Sequence, residues 1–578
     1  MANNTPNHGL NTYEIGDTDW THTPDMEALE RRVTVRDVEA NVTNYVAHEG
    51  AKFEATDTEA VFYGDGDGWV RASTAGPNQR LETLSVNSTA TTALSIEGWR
   101  VVDVSNHGFP GDGSGGDLAQ FVADTAGDVA FVLPAGTYRW ERPVHFTGGD
   151  GEFEEPIPDR FALVGKPRAT VDVHIPASLC ACDRLMFRFG TPNDGAAHVE
   201  LHDLDIDVGD ADPDRDAGIM RAYVGGTMHN SNVSLTRRHR RNADDTPNGD
   251  RHTYKVDVVD PEGVATHRQI DLTAGDVHRS GSDSVGHAIP FSSEPYHEGT
   301  NRWIGCRVAG FTDNGFYLRD GDGANILEGC LARNCGGAHI RLGRYDVARG
   351  CTVVVDGSEG PADGAGLWIQ DAEATTVDGL RIDAPAMDND AIRVTGDVQS
   401  GSIRNAYVNQ GGAEYGIKAT GDCEGFTFES ITIEDAGDGS TRLACVYCTM
   451  DGATFRDVTV RNLDHGAANG HANVMVGGEN VTFDDCRFVT DNPYAIVFGS
   501  FSSAGATVGA RFVRCSFENP GSPKALARYH DDPTPRQFLL KDGDLRDYDV
   551  LIHPDYGDLS DFETGAVRDN LGLPNSGS

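Results

Sequence analysis

Lysine is nearly missing from this chain. Only Lys52, Lys166, Lys255, Lys418, Lys524 and Lys541 occur in 578 residues, and 47 Lys and Arg together face 90 Asp and Glu, a formal net charge of −43. So negative a surface excludes free nucleic acid as a partner, because it cannot neutralise phosphates. No stretch approaches the roughly 20 apolar residues of a helical membrane span, so no membrane partner is expected. The opening MANNTPNHGL carries neither a basic start nor an apolar run, and the expectation is synthesis in the cytoplasm without a secretory signal. Cys180 with Cys182, and Cys445 with Cys448, lie close in sequence, but neither set has a second pair at zinc-ribbon spacing. A family catalytic motif is lacking as well.

The acidity is spread along the chain rather than gathered in a tail. Self-repulsion of this size strains a compact state unless salt screens it, and at molar salt the Debye length shrinks to roughly 3 Å. A halophilic origin is the reading this supports. Acidic disorder is the rival, and 38% hydrophobic residues set in ordered repeats argue against it.

What the chain does have is a repeat. GCRVAG, GCLARN, GCTVVV, GLRIDA, NAYVNQ, SITIED, DVTVRN, DCRFVT and RCSFEN share one pattern, anchored at Cys306, Cys330, Cys351, Leu380, Ala406, Ile431, Val458, Cys486 and Cys515. The spacings are 24, 21, 29, 26, 25, 27, 28 and 29 residues. Units of this length bury their apolar faces only against their neighbours. They are too rich in short alternating strands to be helical, so the expected fold is all-β, a right-handed parallel β-helix. The five anchor cysteines of the eleven in the chain then read as small buried hydrophobes stacked inside it.

Three regions follow: a head at 1–90, the β-helix at 91–519 with a large excursion or two irregular rungs at about 237–300, and a C-terminal cap or tail at 520–578. In the head, a short helix is expected after Thr23-Pro24 and a hairpin around Gly64 to Gly68. Gly16 to Trp20 (GDTDW) and Ala55 to Trp69 (ATDTEAVFYGDGDGW) resemble the particle-binding head of viral tail fibres and tailspikes. VVDVSNHGFPGDGSGGDLAQFVADTAGDVAFVLPAGTY, in residues 101–138, resembles the opening of pectate-lyase-like β-helix proteins. There DLAQFVADTA would set Leu118, Phe121, Val122 and Thr125 on one helical face, enough to plug the end of a solenoid. The first resemblance implies a virion tail protein that meets other tail or baseplate proteins through residues 1–90, and viral β-helices of this kind are usually homotrimers. The second speaks for fold and is silent about chemistry.

Within each repeat a second strand aligns: FYLRD, HIRLG, LWIQD, IRVTG, IKATG, CVYCT, VMVGG, IVFGS. Alternation points Leu318, Leu342, Ile369, Val394 and Ala419 inward. It points Tyr317, Arg341, Trp368, Arg393 and Lys418 outward, followed by Val446, Met475 and Val497. With rungs about 4.8 Å apart, the first five form a ladder of two aromatics and three cations. One reading is a strip for a host cell-surface glycan or glycoprotein, rings stacking on sugars and cations pairing with uronate or sulfate. The others are pairing with acids on adjacent rungs and burial under another subunit.

Glycoside hydrolysis needs two carboxyl groups about 5 to 10 Å apart. Asp313 or Asp320 facing Glu328, or Asp388 with Asp390, are candidates on neighbouring rungs, and a lyase reading would set Arg393 or Lys418 as base near Asp390. Asp210, Asp212, Asp214 and Asp216 alternate along a turn, which suits calcium or magnesium, although the EF-hand glycine is absent. Arg237 to Arg241 (RRHRR) is the one basic cluster, and His278, His287 and His297 read as loop histidines. A glycan-binding tail protein, a polysaccharide lyase or hydrolase on the same fold, and a capsid decoration all fit these features.

The charge yields the first prediction. Lowering salt from about 3 M to about 0.1 M should lower the melting temperature, because unscreened carboxylates repel. A flat or rising melting temperature in calorimetry would refute the halophilic reading.

Overall fold

The computed structural model describes short strands within residues 1–96 and most of residues 99–545. Several internal stretches fall outside it, among them 174–184, 208–217, 236–251, 274–288, 436–443, 464–471 and 500–506, as do residues from 549 onward. The chain divides into two compact units, Met1–Ile96 and Glu97–Ser578. In the first, Thr34–Asp37 pairs in parallel with Lys52–Ala55, which pairs antiparallel with Val61–Gly64, and that strand with Trp69–Arg71. The last two close a hairpin at Gly64 and Trp69, where one was expected. The helix expected after Pro24 lies outside the described residues.

The second unit is a long stack of parallel strands. From Thr300 to Asp378 each strand pairs with the one three ahead, and further on the first two strands of a rung run together, as in Gly401–Asn409 and Phe426–Asp435, so each rung still contributes to three faces. Thr300–Ile304, Ala324–Glu328 and Val347–Arg349 belong to the first sheet. Arg307–Ala309, Leu331–Arg333 and Thr352–Val354 belong to the second. Phe316–Leu318, Ala338–Leu342, Ala365–Gln370 and Ile392–Thr395 belong to the third.

The repeat has a stereochemical cause. Between the first and second sheets the chain turns through one residue of positive φ: Gly305, Gly329, Gly350, Gly379, Asn405, Ser430, Asp457, Asp485 and Arg514. Each stands immediately before an anchor. Glycine adopts this conformation without a Cβ penalty, and Asn and Asp tolerate it better than most residues. The non-glycine corners add bonds between rungs, Asn405 Nδ2 to Asp378 Oδ1 at 2.9 Å and Arg514 Nε to Asp485 Oδ1 at 2.8 Å. The anchor side chains are then driven inward and all nine are buried. The cysteines among them are free thiols, and burial raises the pKa of Cys330 well above its usual value.

Inside the first sheet, Phe428, Phe455, Phe483 and Phe512 stack with centroids 4.6, 4.7 and 4.6 Å apart, matching the rung spacing. The helix Leu118–Asp124 is capped by Asp117, whose side chain accepts from the N–H of Ala119. It buries Leu118, Ala119, Val122 and Ala123, and Phe121 packs between Phe109 and Phe131. The buried face is thus Leu118 and Val122 flanked by small alanines, with Phe121 at its margin.

Of the two readings of 237–300, the described residues follow the one with rungs: His252–Val258, Val264–Arg268 and Ile289–Ser292 pair in parallel with strands on both sides. Arg, His, Gly and Ser in the flanking stretches hide the alternation of HTYKVDV, which buries Tyr254, Val256 and Val258. Parallel pairing also continues past Asn519 through Ala527–Tyr529, Thr534–Lys541 and Asp544–Leu545, where Phe538 and Leu540 alternate inward.

Phe483→Ala should cost about 3–5 kcal/mol, since the ring is sandwiched on both sides and the stack cannot collapse to fill the gap. Denaturant unfolding measures this, and a loss under about 1 kcal/mol would mean that the stack is loose.

Candidate functional site

The outward ladder lies on the third sheet as a continuous register. Tyr317 pairs with Arg341, Arg341 with Trp368, Trp368 with Arg393, and Arg393 with Lys418. Leu318, Leu342, Ile369, Val394 and Ala419 sit beside them in register and are buried. The row is longer than the sequence suggested. Arg188, Arg221, Lys255 and Ser292 precede Tyr317 in the same register, and Tyr447, Met475, Val497 and Arg528 follow Lys418.

The residue after Lys418 is therefore Tyr447, whereas Val446 pairs with Ile417 and packs in the core. The strand Ala444–Cys448 is apolar throughout, so it carries no alternation from which its face can be read. Tyr447, Met475 and Val497 are buried in a second apolar cluster with Tyr415, Ala444 and Ala472. The half-buried row is therefore interrupted after Lys418 by the buried Tyr447, Met475 and Val497 and resumes at Arg528.

All five members of the predicted strip are half-buried, and they interleave. The Arg341 guanidinium lies 3.9 Å from the Trp368 ring and 5.1 Å from the Tyr317 ring, while that of Arg393 lies 5.1 Å from Trp368. The ring faces that point along the stack are thus occupied by cations, and the solvent side offers ring edges and guanidinium edges. Trp368 Nε1 donates to Thr395 Oγ1 at 2.7 Å, and Tyr317 donates to Asp320 at 2.6 Å. Arg341 donates to Gln370 Oε1 at 2.6 Å, and burial lowers its pKa.

The carboxylate candidates separate. Asp390 is fully buried, 2.6 Å from Arg393 Nε and 3.5 Å from Lys418 Nζ, while Asp388 is exposed. Asp320 is bound to Arg319 and Tyr317, and Asp313 accepts from the Asn314 backbone N–H. Glu328 pairs with Arg349 at the far end of the next strand. Four residues at about 3.3 Å each keep it more than 10 Å from that strand's start, so Glu328 does not face Asp320. His297 is a buried residue accepting from the Val258 N–H at 3.2 Å, not a loop histidine. Burial takes its pKa to about 4. His278, His287, Arg237–Arg241 and the aspartates at 210, 212, 214 and 216 lie outside the described residues. Among the described residues no group of three or more His, Cys, Asp and Glu is placed to hold a metal, and no helix is long and apolar enough to cross a membrane.

A carboxylate pair absent from the sequence expectations stands further up the same face. Asp257, in register with Tyr223, is fully buried, and its Oδ1 accepts the Glu294 N–H at 2.7 Å. Its Oδ2 is buried without a partner. Glu294 is held by Lys255 and by His252 Nε2 at 3.0 Å. Burial pushes Asp257 up to about 6. Burial also raises Glu294, but His252 and Lys255 outweigh it and hold that carboxyl at about 2. The two groups therefore carry different protonation near pH 5, the division of roles that acid–base chemistry uses. The alternation of Lys255 and Asp257 in HTYKVDV was the available signal.

No family model matches the chain, and no curated protein matches it. Among solved structures it is similar over 78% of its length to 56% of the pre-mature bacteriophage phi29 gene product 12, at 14% identity and a TM-score of 0.44. An N-terminal fragment of that gene product matches over 78% of this chain and 71% of its own length, at 14% and 0.43. The Agl-KA catalytic domain matches over 80% of this chain and 70% of its own, at 10% and 0.32. The chain thus spans little more than half of the first of these proteins. Likenesses this distant carry no argument about function.

Asp257 sets a pH dependence. Its folded pKa of about 6 lies above the ordinary 3.8. Its stabilising contribution is therefore complete below about pH 4 and lost as pH rises through about 6. Asp257→Asn should flatten stability against pH across that window, by roughly 1–3 kcal/mol. Denaturant midpoints from pH 4 to 7 measure it, and an unchanged slope would place the titration elsewhere.

Proposed function

We propose that this chain is a virion protein, a tail fibre or tailspike of a virus infecting a halophilic archaeon. Its β-helix is right-handed and pectate-lyase-like, its residues 1–90 attach to other tail or baseplate proteins, and three copies pack along their long faces. The third-sheet face engages the host cell-surface glycan or glycoprotein. The observation that carries this reading is the half-buried row of Tyr317, Arg341, Trp368, Arg393 and Lys418 in a chain of net charge −43. Clustered cations and aromatics on one face of an acidic molecule suit recognition of polar, acidic surfaces. The head resemblance supports the virion location.

A second reading is a polysaccharide lyase or hydrolase on the same face. The divided protonation of Asp257 and Glu294 favours it. Incubation with host polysaccharide separates the two, since shortened chains or an unsaturated-uronate absorbance would identify an enzyme and unaltered chains a binder.

Trp368→Ala should leave folding and assembly intact, because the ring lies outside the core. It releases both guanidiniums that flank it, and adsorption to host cells should fall about three- to ten-fold, the range of an aromatic contact. Loss of trimers in sedimentation would instead make the row a subunit interface, and unchanged adsorption would place recognition elsewhere.

A further inference from the structure

Arg341 differs from the arginines around it. Arg319, Arg333, Arg344, Arg349 and Arg393 each meet a carboxylate within 4.0 Å. Among the described residues Arg341 meets none, although the chain holds almost two acids for each base. The nearby acids Asp320 and Asp313 act on it through space, while Asp320 bonds Tyr317 and Arg319 and Asp313 accepts from Asn314. A guanidinium has five N–H donors. Among the described residues Arg341 commits one, through Nη2 to Gln370, and its Nε is buried without a partner. Tyr317 and Trp368 hold its plane from either side, so the fork is oriented before any ligand arrives. A half-buried, oriented guanidinium with no carboxylate in contact among the described residues is the arrangement that recognises a planar carboxylate or a sulfate.

The next positive charge along the row is spaced regularly. Arg393 and Lys418 share Asp390, so two cations against one carboxylate leave one net charge. From Arg341 across Trp368 to Arg393 is two rungs, roughly 10 Å at the usual strand spacing, which is the length of a disaccharide in an extended glycan.

We propose that the ligand of this face is a linear acidic glycan lying along the solenoid axis with one anionic group per disaccharide, one seated in the Arg341 fork and the next at Arg393 and Lys418. This rests on the glycan-binding reading and names the chemistry that reading leaves open. Because the Arg341 fork is partly withdrawn from solvent, high salt screens it less than it screens a surface pair.

The test uses the full-length protein at its working salt and polysaccharide stripped from cells that it binds, in three forms: native, carboxyl-reduced and desulfated. One of the two treatments should weaken binding about ten-fold or more, the loss of a charge-assisted contact, and which one does so tells carboxylate from sulfate. Arg341→Gln should bind the native form more weakly than the wild type does and should narrow, without closing, the gap between native and neutralised forms, since the anion seat at Arg393 and Lys418 remains. Arg341→Lys keeps the charge without the fork and should fall between them. If the wild type binds all three forms equally, the anionic inference is overturned while glycan binding stands. If it binds none, the glycan reading itself fails. Should Arg341→Gln not fold, the wild-type comparison decides alone.

Discussion

Once in each rung the chain leaves the first sheet for the second through a single residue whose φ lies between 51° and 71°. Everything else in the solenoid depends on that corner. An L-residue held there closes the turn in one step, so the following side chain has nowhere to go but inward. That explains why the anchor tolerates Cys, Leu, Ala, Ile and Val alike: the position asks for a small or medium apolar body rather than for a particular chemistry. It also explains why the position before it is Gly, Asn, Ser, Asp or Arg and in no case β-branched or aromatic. With the corner set, rungs align in register, and identical positions in successive repeats become neighbours about 4.8 Å apart.

Register turns a repeat into ladders on both sides of the wall. Inside, it stacks thiols and phenylalanines whose burial stabilises the column by roughly 1.5–3 kcal/mol for each large side chain. Outside, the same spacing brings cations and rings of the third sheet into alternate layers, where each cation–π contact contributes about 0.5–2 kcal/mol. The exterior row is thus a rigid array rather than a set of waving side chains, and rigidity reduces the ordering cost of binding. The two carboxylates at Asp257 and Glu294 show the other consequence. Residues 37 positions apart become partners because one lies on the rung next to the other, and one buried environment splits their protonation.

Periodicity alone carried the solenoid, the buried anchors and the outward row from Tyr317 to Lys418, because side-chain direction alternates with a period of two and the corners recur at near-constant spacing. Where alternation is absent, as in ACVYC, sequence does not show the face, and period-two reading puts Val446 where its neighbour Tyr447 stands. Where insertions rich in Arg, His and Gly surround a good strand, as around HTYKVDV, the rung was hidden along with Lys255 and Asp257. Whether Trp368 offers its face or its edge is a different kind of question. It depends on guanidiniums supplied by the rungs before and after, and chain order does not say how those side chains lie. The same holds for Arg341. In a chain with 90 acidic residues, the lack of a carboxylate partner among the described residues is a matter of angstroms in three dimensions, and only the folded stack decides it.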